Sequence, residues 1–456
     1  MPSPFTMRLR APHASRAILR LWPGVALTTL AGLLALPALA ANDNAAPLTL
    51  GKAQLLAVSR SRQLAAQDLA VQSSHEMASA AGQLPDPVLK FGVDNLPVSG
   101  ADRLSLTNDF MTMRRVGLMQ EITREDKLRA RTERYERATD KSLAEKSVAT
   151  AAIERDAALA WLDRYYAERM AAAIAEQVLQ AQLEVQAAES AYRGGRGSQA
   201  DVFSARSTLA ALDDRASELQ KKVRNAKTVL ERWVGAAAEA QLAGTPAWDT
   251  IRLDPATLDT DLAHHPQIAV FDRQTDIAQA DARVARADKS ADWSVELTYQ
   301  QRGPAYSNMV SVGVSIPLQW DQKHRQDREL SAKLAMVEEA KAEREEALRQ
   351  YVAETRTMID EWKNDRERGA RYEHELLPLA SQRTQVLLAA YRGGKASLTD
   401  LLSARRAEID IRLQSLQLQA DTARLWAQLN FLAPSSDLAP ISRPVPGADT
   451  TTKELP

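Results

Sequence analysis

The chain contains no cysteine. That excludes disulfide staples, thiolate metal centres and lipid attachment through an N-terminal cysteine. Aromatic residues are only 5%, while Ala, Glu, Arg, Gln and Leu dominate. This is the profile of long helices and coiled coils rather than of a compact enzyme. The formal net charge is −1, so there is no basic excess and nucleic acid is not an expected partner. No stretch beyond residue 40 carries the 18 uninterrupted apolar residues of a transmembrane helix. There is no Gly-x-x-x-x-Gly-Lys run and no His-Glu-x-x-His. Gly194-Gly195-Arg196-Gly197 does not follow a strand pattern, so it is not a dinucleotide loop. No reaction centre and no cofactor are expected, and the chain does not read as an enzyme.

What the chain does have is a turn that occurs twice. Ala191-Tyr192-Arg193-Gly194-Gly195-Arg196-Gly197-Ser198 leads to Asp201 and Ser204-Ala205-Arg206. Ala390-Tyr391-Arg392-Gly393-Gly394-Lys395-Ala396-Ser397 leads to Asp400 and Ser403-Ala404-Arg405. Each turn ends one helical pattern and opens another. The paired glycines suit a positive-φ exit, and Ser198 and Ser397 suit N-caps. Each copy therefore reads as the tip of a helical hairpin, and the two copies divide the chain into repeats.

The first 40 residues stand apart. Arg8, Arg10, Arg16 and Arg20 precede an apolar run, and Ala38-Leu39-Ala40 offers a small-residue cleavage site. Residues 1–40 read as a secretory signal peptide, with a membrane anchor as the alternative. Repeat 1 spans 41–235, a linker or irregular belt 236–265, repeat 2 266–432, and a Pro-, Ser- and Thr-rich tail, expected to be disordered, 433–456.

Within repeat 1 the periodicity predicts one helix from Leu48 to about Ala81, stopped by Pro85 and Pro87. Two strands follow: Leu89 to Asp94, then Leu104 to Gln120 with Leu104, Leu106, Phe110, Val116 and Leu118 on one face. Neither proline nor glycine occurs from Thr123 to Tyr192. As one helix that stretch would run about 100 Å, which only lateral packing in a bundle could stabilise. Repeat 2 starts with Pro266 in the first turn of a helix. Trp293, Val295, Leu297 and Tyr299 then alternate strictly with polar residues, and so do Val310, Val312, Val314, Ile316 and Leu318. Alternation of this length is what a strand between lipid and water needs, and a soluble amphipathic hairpin is the alternative. A second long helix covers about Gln322 to Arg392, with a kink expected at Pro378. Leu179 takes the matching place in the first long helix, which should be straighter. Four strands are too few to close a barrel, so lipid exposure of these hairpins requires oligomerisation.

The duplicated order of helix, strand hairpin, very long helix, glycine tip and helix resembles the TolC family of outer-membrane efflux ducts. The Leu48-Thr49-Leu50 opening and the Tyr-x-x-Gly tips with a following Asp match it. Gly82-Gln83-Leu84-Pro85-Asp86-Pro87 looks like the heavy-metal branch. The resemblance implies a mostly α fold with membrane β. Three protomers would share a 12-stranded barrel continuing into a long periplasmic α-helical barrel. It implies a homotrimer in the outer membrane that works with a periplasmic adaptor and an inner-membrane efflux transporter and conducts substrate passively. Heavy-metal cations are the first choice of cargo and organic compounds the second. A periplasmic coiled-coil scaffold is the rival of another class.

Three groups of site residues follow. By the resemblance, Gly194, Gly195, Arg196, Gly393, Gly394 and Lys395 would dock the adaptor; making the turn is their simpler role. Asp201, Asp400 and Tyr391 match the family's pore gate, with Arg196 or Lys395 as cationic partners; first-turn helix charges are the simpler reading. Met111, Met113 and Met119 share odd parity and would face the lumen, where thioethers suit soft ions. Packed or lipid-facing methionines are the alternative, since one bulge reverses parity. His264-His265 could ligate metal or simply start a helix.

Overall fold

The computed structural model describes residues 47–435. The expected signal peptide and most of the tail lie outside the described residues. Helix α1 (Leu50–Arg60) and helix α2 (Arg62–Ala81) lead to strand β1 (Val88–Asp94) and strand β2 (Met113–Ile122). Helix α3 (Glu125–Arg193) and helix α4 (Gln199–Val234) complete the first repeat. After the short α5 (Leu258–Ala263) come α6 (Pro266–Ala287), β3 (Trp293–Gln301) and β4 (Met309–Ser315). Helices α7 (Gln326–Arg371), α8 (Leu377–Arg392) and α9 (Leu398–Asn430) finish the second repeat.

The expected first helix is two. Ser61 adopts an extended conformation, and its hydroxyl accepts the Leu64 N–H at 3.2 Å, so one serine ends α1 and caps α2. Helix α3 is continuous over 69 residues, as the absence of proline and glycine predicts. Its counterpart is interrupted. Tyr372–Leu376 forms a π turn, with the Leu377 N–H bonded to the Tyr372 carbonyl. Pro378, next in line, has no N–H, and the widened turn accommodates the proline without ending the helical path.

The return strand begins at Met113, not Leu104. Leu104 has φ 57°, and Asp109 Oδ1 accepts the Met111 and Thr112 N–H groups at 2.7 and 3.2 Å. These local bonds make residues 95–112 a loop, so Leu104, Leu106 and Phe110 are not on a strand face. Strand β4 stops at Ser315; Ile316, Pro317 and Leu318 continue beyond the ladder, where Pro317 cannot donate.

The four strands form one antiparallel sheet in the order β1-β2-β3-β4. Its register sorts residues onto two unlike faces. One row across the sheet is Leu89, Leu118, Leu297 and Val312; another is Phe91, Val116, Tyr299 and Val310. The opposite face carries Lys90, Gly117, Thr298 and Ser311 in one row and Gly92, Arg115, Gln300 and Met309 in the next. The apolar face is bare: Phe91 is 73% and Val312 71% exposed. No helix among the described residues is long and apolar enough to cross a membrane.

The helices pack through small residues. Around Trp161 and Leu162 of α3 lie Leu230 and Val234 of α4 and Ala420, Ala423 and Ala427 of α9. Nearer the tips, Ala188, Val202, Ala205, Leu398, Leu401 and Leu402 form a second cluster, with Tyr391 against it. The two hairpins are therefore joined at both levels.

Candidate tip, gate and channel-wall residues

Both tips have the same construction. Arg196 N–H bonds the Ala191 carbonyl at 2.9 Å, and Lys395 N–H bonds the Ala390 carbonyl at 2.8 Å, five residues back in each case. This is the Schellman closure, and it needs one left-handed residue. Gly195 (φ 69°) and Gly394 (φ 70°) supply it. Gly194 and Gly393 sit at φ −84°, so the second glycine of each pair provides the positive-φ exit. Gly194, Gly195, Arg196, Gly393, Gly394 and Lys395 are all exposed at these turns.

Asp201 and Asp400 each complete a capping box. Asp201 Oδ2 accepts the Ser198 N–H at 2.9 Å and its hydroxyl at 2.7 Å, and the Asp201 N–H donates back to Ser198 Oγ. Asp400 Oδ2 makes the same bonds with Ser397 at 3.4 and 2.6 Å. The Ser198 N–H and hydroxyl hold Asp201 below the usual carboxylate range. Both aspartates thus have a structural duty within their own helices. The spacing Ser-x-x-Asp carried that signal in the sequence. Tyr391 is partly buried in the cluster that joins the tips.

Above the tips, four ion pairs lace α9 to the first hairpin. Arg405 meets Glu184 at 3.1 Å, Arg412 meets Glu176 at 3.2 Å, and Arg424 meets Asp163 at 2.7 Å. Asp410 of α9 meets Arg215 of α4 at 2.7 Å. Burial pushes the Glu184 carboxyl up, against the pull of Arg405. A cavity of about 100 Å³ lies here, lined by Glu184, Thr208, Arg215, Arg405 and Asp410 among others.

The segment between the repeats is a belt tied to the helices. Arg164 donates to the carbonyls of Ala238 and, at 3.0 Å, Ala240. Three tryptophan N–H groups reach the backbone: Trp161 to Leu48, Trp362 to Trp248 and Trp426 to Thr250, at 3.0, 3.0 and 2.9 Å. Leu48 also pairs with Leu242 as an isolated parallel bridge. Sequence reasoning did not single out Arg164 or these tryptophans.

Met113 and Met119 lie on the polar sheet face, opposite Asp94 and Glu296 respectively. Met111 does not join them; it falls in the loop before β2, where strand parity does not apply. The histidine pair separates. His265 starts α6, is 9% exposed, shares a 3.1 Å hydrogen bond with Tyr351, and burial pushes it down to about 4. His264 is bonded to the Thr260 carbonyl instead. Among the described residues, no three His, Asp or Glu side chains gather as a metal-holding group.

No family model matches the chain. The cobalt-zinc-cadmium resistance protein CzcC of Cupriavidus metallidurans is 26% identical over 246 residues. That match spans 52% of this chain and 57% of CzcC, a little over half of each. Among solved structures, the outer membrane protein VceC of Vibrio cholerae superposes with TM-score 0.68 at 18% identity, covering 84% of this chain and 95% of VceC. The CmeC outer membrane channel of Campylobacter jejuni gives 0.70 at 13%, covering 85% and 86%. CusC gives 0.69 at 15%, covering 84% and 92%. At these identities the superpositions establish the fold: this protein has the fold of these outer-membrane channels, the one expected from its resemblance to the TolC family.

Proposed function

We propose that this protein is the outer-membrane duct of a tripartite efflux pump, conducting substrate passively from a periplasmic adaptor and an inner-membrane transporter to the exterior. The observation that carries the reading is the sheet. Its apolar rows run unbroken across four strands, and its other face is polar and charged. Such a sheet suits lipid on one side and a water-filled lumen on the other. Strands β1 and β4 are edges, and an open edge is not tolerated in lipid. Three copies would close twelve strands, and their hairpins would continue the barrel as a periplasmic tube. Trp293 and Trp320, the latter 87% exposed, stand at the end of the sheet where the helices begin and suit the membrane–water boundary. The exposed tips would meet the adaptor.

Heavy-metal cations are the proposed cargo, supported by the likeness to CzcC, a cobalt-zinc-cadmium resistance protein. Deleting this protein from its host is expected to lower tolerance to cobalt, zinc and cadmium salts more than tolerance to dyes and detergents. The reverse pattern in growth assays would favour organic compounds as cargo. A soluble periplasmic location would favour the scaffold.

Asp201, Asp400 and Tyr391, beside the tips, are the proposed gate. Asp201 and Asp400 would bring six carboxylates to one depth of a trimeric tube. Asp201 spends Oδ2 on its cap, which leaves the charge to attract cations and to meet Tyr391 or Lys395 of a neighbouring hairpin. Asn at these positions keeps an amide oxygen for the cap and removes the charge. The Asp201→Asn/Asp400→Asn double variant is therefore expected to fold, to lose cation preference in planar bilayers and to be blocked less by multivalent cations. Each exposed link contributes only about 0–1 kcal/mol, so single changes should loosen the gate less than combined ones. Unchanged selectivity in the double variant would leave the aspartates as caps alone.

A further inference from the structure

We propose that Lys90 and Glu296 form a specificity-determining charge pair on the inner wall of the barrel, one that stops the exit from retaining the cations that pass. The inference rests on the duct reading. Lys90 is on β1 and Glu296 on β3, with β2 between them. The β2 residue opposite both Lys90 and Thr298 is Gly117. A Cβ at Gly117 would stand 2.8 Å from Thr298 Oγ1 and 3.4 Å from Glu296 Oε1. Lys90 crosses β2 where that strand has no side chain, and Nζ reaches Glu296 Oε2 at 2.8 Å. Thr298 Oγ1 donates to the other oxygen, Oε1, at 3.3 Å. Both carboxylate oxygens are therefore engaged.

The device is repeated one row outward. Arg115 of β2 lies over Gly92 of β1: a Cβ there would be 3.1 Å from Arg115 Nε. Arg115 Nη1 stands 3.6 Å from Asp94. Two cations and two carboxylates of the polar face are thus set in pairs, over glycines that make room for them, while Glu121, nearer the helices, adds a third carboxylate to that face.

Three copies would set three Glu296 side chains around one lumen. Unpaired, such a ring would attract and hold a divalent cation. Conduction needs binding weak enough for release. Lys90 cancels each Glu296 in place, so the wall at this level stays indifferent to the sign of what passes, and selection is left to other parts of the path.

The cysteine-free chain allows a direct test. Ser311→Cys puts one thiol in the row of Lys90, Gly117 and Thr298. Whole cells are treated with cationic or anionic methanethiosulfonate reagents, neither of which crosses membranes, and the ratio of the two labelling rates is measured. With Lys90 and Glu296 intact, the ratio is expected within about twofold of that of a free thiol. Lys90→Met, which keeps most of the stem, should shift it roughly fivefold toward the cationic reagent. Glu296→Gln should shift it by a similar factor toward the anionic one. The double variant, which leaves no lone charge, should return to the starting ratio. Zinc ions should slow labelling in the Lys90→Met background alone. Unchanged ratios in both single variants would overturn the proposal while Ser311→Cys still labels. Val312→Cys, on the opposite face, separates the two readings. If it labels and Ser311→Cys does not, the faces are reversed and the duct reading itself fails.

Discussion

Val312→Arg is expected to remove this protein from the outer membrane, while Ser311→Arg, one residue away, leaves it there. The two positions are adjacent in β4 but face opposite ways. Val312 is the middle residue of β4 and ends the row Leu89, Leu118, Leu297 and Val312. An arginine on the lipid face near mid-bilayer costs about 2–4 kcal/mol. A trimer would meet that cost three times, which makes roughly 6–12 kcal/mol, as large as the whole net stability of a typical domain. An arginine at Ser311 would enter the polar face beside Thr298 and stay hydrated. Immunoblots of outer-membrane fractions read the result. Equal recovery of both variants, or equal loss, would contradict the face assignment.

The second large effect belongs to the belt. Trp161 is 1% exposed, stacks on Tyr165 at 5.2 Å, and donates to the Leu48 carbonyl. Trp161→Ala is expected to cost about 3–5 kcal/mol for the lost packing. The Leu48 carbonyl still accepts the Ala243 N–H at 3.2 Å, so loss of the indole hydrogen bond adds only about 1 kcal/mol. Trp161→Phe keeps much of the volume and loses the hydrogen bond, so it should cost well under half as much. Thermal melting of the helical circular-dichroism signal, in detergent extracts, should rank parent above Phe above Ala. Equal melting of Phe and Ala variants would mean that the hydrogen bond, not the packing, holds the belt. Equal melting of all three would show that the belt does not need Trp161.

Much of this fold was legible because its signals are local. Strict alternation in 293–299 and 310–314 gave the faces of β3 and β4. The unbroken run before Tyr192 gave α3, and the doubled glycine turns gave both hairpins. The misreadings have local causes too. Ser61 breaks the first helix with neither proline nor glycine, through a serine cap that a polar Arg-Ser-Arg sequence conceals. The Asp109 turn delays β2 and takes Met111 off the strand, while Met113 and Met119 keep the parity expected of them. The π turn at Tyr372–Leu376 has no signature beyond the proline that follows it.

The candidate sites were less legible. Ser198-x-x-Asp201 and Ser397-x-x-Asp400 are visible as capping boxes, and the sequence alone cannot separate that duty from a gate. Lys90 and Glu296 are 206 residues apart. Arg164 is 76 residues from the Ala240 carbonyl it binds. Such partners meet only when the register of a sheet or the path of a belt is known, and no short motif announces either.

The trimer underlies every assignment made to the sheet: three copies of this chain are proposed to close one barrel in the outer membrane. Its most direct test is native mass spectrometry of the protein extracted in detergent from purified outer membranes. A complex of three mature chains is expected in that fraction. A single chain recovered from the soluble periplasm would contradict it.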